Sequence, residues 1–103
     1  MKGRMVSDLC VGIASKNGTY EIVALEQGKT SAVMKFPATR TGIDAIKGFL
    51  SNHGNRIRVA VAGVAAISLA MALGNEPRRE TYIVSPSIAD HAAALAHYAE
   101  HRV

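Results

Sequence analysis

The sequence predicts a mixed α/β domain built on one five-stranded sheet, with the element order β-β-β-α-β-α-β-α. Three observations predict it. Asn17-Gly18 sits between two strand-like apolar runs, a pairing that suits a tight hairpin turn because both central residues must adopt positive φ. Ile57 to Ala62 is almost continuously apolar and lies between two stretches with helical spacing, as expected of a buried parallel strand. Two such strand–helix units then follow an antiparallel meander, which gives a mixed sheet with helices packed on its faces.

The first strand is read over Asp8 to Ser15 and the second over Thr19 to Glu26. The first is nearly all apolar, so it is expected at the centre of the sheet, covered on both sides. Gln27-Gly28-Lys29 turns the chain into a third strand, Thr30 to Phe36, which Pro37 ends because it cannot donate to a ladder. The first helix is read over Thr41 to Asn52. Thr41-Gly42-Ile43-Asp44 approximates a capping box at its start. Ile43, Ile46, Phe49 and Leu50 share one face, and Asn52-His53-Gly54 stops it. Here His53 is a last-turn residue, favoured near the negative helix end.

Ile57 to Ala62 is the fourth strand and Val64 to Leu73 the second helix. That helix is apolar on every face apart from Ser68. Full burial of such a helix is difficult in a domain this small, so a self-association surface is expected there, with Val64, Ile67, Leu69 and Met71 as candidate interface residues. Gly74-Asn75-Glu76-Pro77 forms a loop, Thr81 to Val84 the fifth strand, and Ser85-Pro86-Ser87 leads into a last helix from Ile88 onward. Ile88, Ala92, Leu95 and Ala99 fall on one face of that helix; Asp90, His97 and His101 fall on the other.

With 103 residues, the chain is expected to form a single domain spanning residues 1–103. Half the residues are apolar and 19% are charged, a globular rather than disordered composition. The single Cys10 cannot form an internal disulfide and reads as a small buried hydrophobe. Asp8 interrupts any signal-peptide core, and the longest apolar run, Val59 to Leu73, falls short of the ~18–20 residues a membrane span needs. No membrane partner and a cytoplasmic location are therefore expected. The net charge of +4 permits contact with nucleic acid without requiring it. Lys16, Arg40, Arg56, Arg58, Arg78 and Arg79 are the candidate phosphate-binding residues.

Other constellations give less. His97 and His101 have the i, i+4 spacing that can hold zinc from one helix face, but no further ligands are placed to complete four, so no metal site is assigned. Ser15-Lys16-Asn17-Gly18-Thr19 is similar to the phosphate-cradling hairpin of actin-like and sugar-kinase ATPases but lacks their acidic residue, and turn chemistry accounts for it. No Gly-x-Ser-x-Gly elbow exists, so no nucleophilic triad is read. No cofactor is expected.

This element order is that of the RNase H-like fold, and local residues narrow the resemblance. Val11-Gly12-Ile13-Ala14-Ser15-Lys16 resembles the Val-Gly-Ile-Asp-x-Ser-Lys opening of the DEDD-type insertion-sequence transposases, the group that includes the Piv invertase. Phe36-Pro37-Ala38-Thr39-Arg40-Thr41-Gly42-Ile43 is similar to that family's Phe-x-Asn-x-x-x-Gly segment. Arg58 to Val64 falls where the family has a strand ending in Glu-Ala-Thr-Gly, and Ser85-Pro86 with its Ala-rich sequel resembles an Asn-Pro segment. The resemblance covers about residues 9 to 101, roughly the family's N-terminal catalytic domain, and rests on the order and spacing of its parts.

The departures fall on the chemistry. The family's metal-binding Asp and Glu correspond to Ala14 and Ala62. Its further acids would follow near Arg102-Val103, and its second half, with a nucleophilic Ser, has no counterpart in this sequence. Two-metal phosphoryl transfer needs carboxylate ligands around ions about 3.5–4 Å apart, and Ala cannot ligate. Asp8 shares a face with Ala14 but lies about 20 Å along the strand at ~3.3 Å per residue. Glu21 and Glu26 are on the second strand; Asp90 and Glu100, on the last helix, would not form a clamp alone. The resemblance therefore implies a catalytically inactive, truncated transposase-like domain with no catalytic residues, retaining contact with nucleic acid. The alternative is a protein-interaction or homodimerisation module with no nucleic-acid role.

Overall fold

In a computed structural model, which describes residues 9–26, 28–52, 56–74 and 79–101, the chain forms a mixed sheet with helices on both faces. The strands are β1 (Leu9–Lys16), β2 (Thr19–Glu26), β3 (Lys29–Thr30), β4 (Met34–Pro37), β5 (Ile57–Gly63) and β6 (Arg79–Ile83); the helices are α1 (Arg40–Ser51), α2 (Ala66–Leu73) and α3 (Ala92–Glu100). The order across the sheet is β3-β2-β1-β5-β6, and β4 also pairs with β2. As read from its composition, β1 is central: it runs antiparallel to β2 and parallel to β5.

The Asn17-Gly18 turn forms as expected, with φ of 51° and 74° at its two central residues. The sheet has six strands rather than five, because the third strand of the sequence reading is divided. Lys29–Thr30 pairs with one end of β2 and Met34–Pro37 with the other. Between them Ser31 takes over part of the ladder. Its N–H donates to the Ala24 carbonyl at 2.8 Å, and its hydroxyl accepts from the Ala24 N–H at 3.0 Å. A side chain that meets a backbone donor competes with regular strand pairing.

Alternation along the strands separates two cores. Val11, Ile13, Tyr20, Ile22, Val59 and Val61 pack beneath Ile46 and Leu50 of α1 and Ala66, Leu69 and Leu73 of α2. On the other face, Cys10, Ala14, Val23, Leu25, Ala60 and Ala62 pack beneath Ala92, Leu95, Ala96 and Ala99 of α3. Side chains in this second core are small, and α3 lies close to the sheet. A Cβ on Gly12 would stand 1.9 Å from the Ala92 carbonyl oxygen and 2.3 Å from the Ala96 nitrogen. Cys10 is a buried free thiol, as expected.

The helix boundaries differ from the sequence reading in instructive ways. Thr39, not Thr41, caps α1, accepting from the Gly42 N–H at 3.2 Å. Its extended backbone suits that position. α2 begins at Ala66 instead of Val64, because Gly63 (φ 113°) turns the chain sharply out of β5. The last helix begins at Ala92 rather than Ile88. The Ser85 carbonyl accepts from Ile88 at 2.8 Å and Ala89 at 3.3 Å, closing a separate turn that leaves Ile88 exposed. Asp8 and His53 lie outside the described residues.

Candidate functional site

The parallel strands β1 and β5 end beside each other, at the place where open α/β sheets form ligand crevices. A cleft of about 500 Å³ opens there, lined by Ser15, Lys16, Ala62, Gly63, Val64, Pro86 and Asp90. Its lining combines one lysine and one aspartate with apolar and backbone surface. Gly63 is required at its floor, since a Cβ there would lie 2.3 Å from the Ser15 carbonyl oxygen.

Ala14 and Ala62 are register partners across β1 and β5, both buried under α3. The pairs Glu21↔Ala14 and Glu21↔Lys35 extend the same row across β2 and β4. Directly opposite residues in a sheet share a face, so Glu21 is the carboxylate beside Ala14. Lys35 approaches it at 4.0 Å, on a partly exposed rim. The sequence reading placed Glu21 on the second strand without this neighbour. Counting pairs outward from the Asn17-Gly18 turn, Lys16 to Thr19 and Ser15 to Tyr20, would have found it. Glu21 and Asp90 do not belong to any group of three or more His, Cys, Asp or Glu able to hold a metal among the described residues.

The candidate phosphate-binding residues do not converge. Lys16 ends β1, and Arg40 opens α1 at the same end of the sheet, since Pro37 pairs with Thr19 beside the hairpin turn. Arg56 precedes β5, and Arg58 and Arg79 lie near the starts of β5 and β6, at the opposite end. Arg58 donates to the Glu100 carbonyl at 3.3 Å. Arg79 is a correction to the surface assignment: it is 6% exposed, and its guanidinium donates to the Leu73 carbonyl at the end of α2. A cation there meets helix carbonyls that have no partner within the helix. Arg78 lies outside the described residues.

The candidate interface residues also divide. Val64, Ile67 and Met71 are 97%, 62% and 78% exposed, whereas Leu69 is 0% exposed and belongs to the core under α2. Leu69 is therefore corrected from interface to core. Its neighbours Ala66 and Leu73 turn the same side of the helix to the sheet. On α3, His97 and His101 are exposed and both approach Glu100, at 3.7 and 3.8 Å.

No helix among the described residues is long and apolar enough to cross a membrane. The chain matches no protein-family model and no curated relative.

Proposed function

We propose that this chain is an RNase H-like domain of the DEDD-transposase type that has lost metal-dependent catalysis and contacts nucleic acid without cutting it. The observation that carries the reading is the side-by-side placement of Ala14 and Ala62 at the ends of the central parallel strands. In the resembled family those positions supply metal-binding carboxylates. Without them the nearest acid in the row, Glu21, stands beside Lys35 and makes no clamp for two hard cations. The strand order β3-β2-β1-β5-β6, with α3 on the opposite face from α1 and α2, supports the RNase H-like assignment. Lys16 and Arg40, at the cleft end of the sheet, are the residues for phosphate contact, and the cytoplasm is the compartment this reading implies.

The test is binding of duplex and single-stranded DNA across a salt series, beside cleavage assays with magnesium and manganese. Each phosphate neutralised should steepen the slope of log K against log salt by about 0.7–0.9. Lys16→Ala and Arg40→Ala should each flatten it by up to about 1. Metal-dependent cleavage would overturn the inactive assignment, and no binding at low salt would overturn the nucleic-acid role.

A second reading, a self-associating module, is favoured by the exposure of Ile67 and Met71 on α2 and of Val64 in the turn that precedes it. Isolated apolar side chains on a surface are ordinary, but a contiguous row marks contact with a partner.

A further inference from the structure

The cleft beside the ends of β1 and β5 is framed by segments that are tied in place. Ser15 and Lys16 end β1, Ala62 and Gly63 end β5, Val64 lies in the turn into α2, and Pro86 and Asp90 lie in the segment before α3. The Ser15 hydroxyl accepts from the Ala65 N–H at 3.2 Å, which ties β1 to the turn that carries Val64. The Ser85 carbonyl accepts from the Ile88 and Ala89 N–H groups, which closes the turn that carries Pro86 and leads to Asp90. At about 500 Å³ the space exceeds what one phosphate group fills and lies in the range of small-molecule sites.

Its lining suits a flat ring with a charged tail. Ala62, Val64 and Pro86 are apolar, and Lys16 and Asp90 are the charged side chains among them. Lys16 has no ion pair among the described residues. Asp90 meets His91 through one oxygen, Oδ1 to Nε2 at 3.4 Å, and its Oδ2 has no partner among the described residues. A carboxylate only accepts hydrogen bonds and an ammonium only donates them. A lone phosphate would be drawn to Lys16 and repelled by Asp90. A nucleotide uses both, with its phosphate on the ammonium and the donors of its base on the carboxylate. Unpaired bases are held by such contacts to their Watson–Crick edges, with side chains packed on their faces.

The carboxylate also chooses among the bases. Guanine presents N1–H and N2–H side by side, which matches the two oxygens of one carboxylate. Adenine and cytosine present one amino group beside a ring acceptor, and thymine presents one N–H between two carbonyls. Each of these sets a lone pair against the second carboxylate oxygen. Given the nucleic-acid reading above, on which this rests, we propose that the cleft receives one unpaired guanine of a bound strand. Asp90 accepts from its N1–H and N2–H, and Lys16 holds the phosphate of the same nucleotide. Ala62 has a part in this: an acid at that position would set a second negative charge in the slot.

Titration of the full chain at low salt with short oligothymidylates, unmodified or carrying one central guanine, adenine or cytosine, tests this by fluorescence anisotropy. The guanine strand should bind at least about fivefold more tightly than the others. In Asp90→Asn the ratio should fall to about 1, because the amide turns a donor toward one of the two guanine N–H groups. Asp90 is exposed, so the circular dichroism of this variant should match that of the wild type. Equal affinity for all the strands, or a guanine preference that survives Asp90→Asn, would overturn the guanine site and leave nucleic-acid contact standing. No binding of any strand would overturn both.

Discussion

The Tyr20 hydroxyl donates to the Ala65 carbonyl at 3.2 Å, across 45 residues of sequence. The Ala65 N–H in turn donates to the Ser15 hydroxyl at 3.2 Å. α2 has no side-chain cap of its own. Strand side chains from β1 and β2 thus hold both polar groups of the residue that precedes it, and the sheet sets where the helix begins.

Tyr20→Phe should lower stability by about 1 kcal/mol, the usual net value of one hydrogen bond. It should also change the alkaline limb of the stability curve. Burial raises the Tyr20 phenol above its ordinary pKa of 10.0, so above pH 10 the folded state holds a proton that the unfolded chain has begun to release. That contribution is complete below the unfolded pKa and is lost as pH rises through the folded one. Urea titrations between pH 8 and 11 should show a fall in the wild type that is shallower in the variant.

Restoring an acid at the end of β1 should be costly. Ala14→Asp places a carboxyl in a buried site under α3 and beside Glu21. Desolvation and like charge both push its pKa up. A loss of about 3 kcal/mol or more is expected at neutral pH, with part recovered as pH falls and the group protonates. Equal stability at pH 7 and pH 5 in urea titrations would contradict this account.

Gly12→Ala should separate α3 from the sheet. The added methyl would meet the backbone of Ala92 and Ala96, which cannot rotate away. Overpacking of this kind costs about 1–3 kcal/mol or more. Thermal melting and near-ultraviolet circular dichroism report it, the latter through Tyr98, which packs against this core.

Leu69 and Met71 lie two residues apart on α2 and should respond oppositely to truncation. Leu69→Ala opens a cavity in the core and should cost about 2–5 kcal/mol. Met71 is largely exposed, and Met71→Ala in dilute solution should stay within about 0.5 kcal/mol. Chemical denaturation of both variants at low protein concentration separates core from surface.

What was legible in the sequence was whatever depended on local pattern. Asn17-Gly18 located the hairpin, and the apolar run from Ile57 located β5, since turn chemistry and burial are written in adjacent residues. The division of the third strand was not legible because Ser31 acts through Ala24, a tertiary relationship. Leu69 and Arg79 were misassigned for a related reason. A helix apolar all round gives no period from which to choose its buried side, and a charged residue is ordinarily exposed unless a partner such as the Leu73 carbonyl holds it inside. Glu21 was recoverable by counting register from a turn already identified.

The Asn17-Gly18 turn also bears on how the chain acquires its shape. It joins β1 to β2 with nothing intervening, and hairpins of this kind close in about 1–10 μs. The other neighbour of β1 is distant: Leu9 must find Ile57 after the hairpin, β3, β4 and α1 have all passed. Contacts of long sequence separation slow folding more than they weaken the final state. The hairpin can therefore present β1 as a ready-made edge, leaving the docking of β5 as the slow step on which the later elements wait.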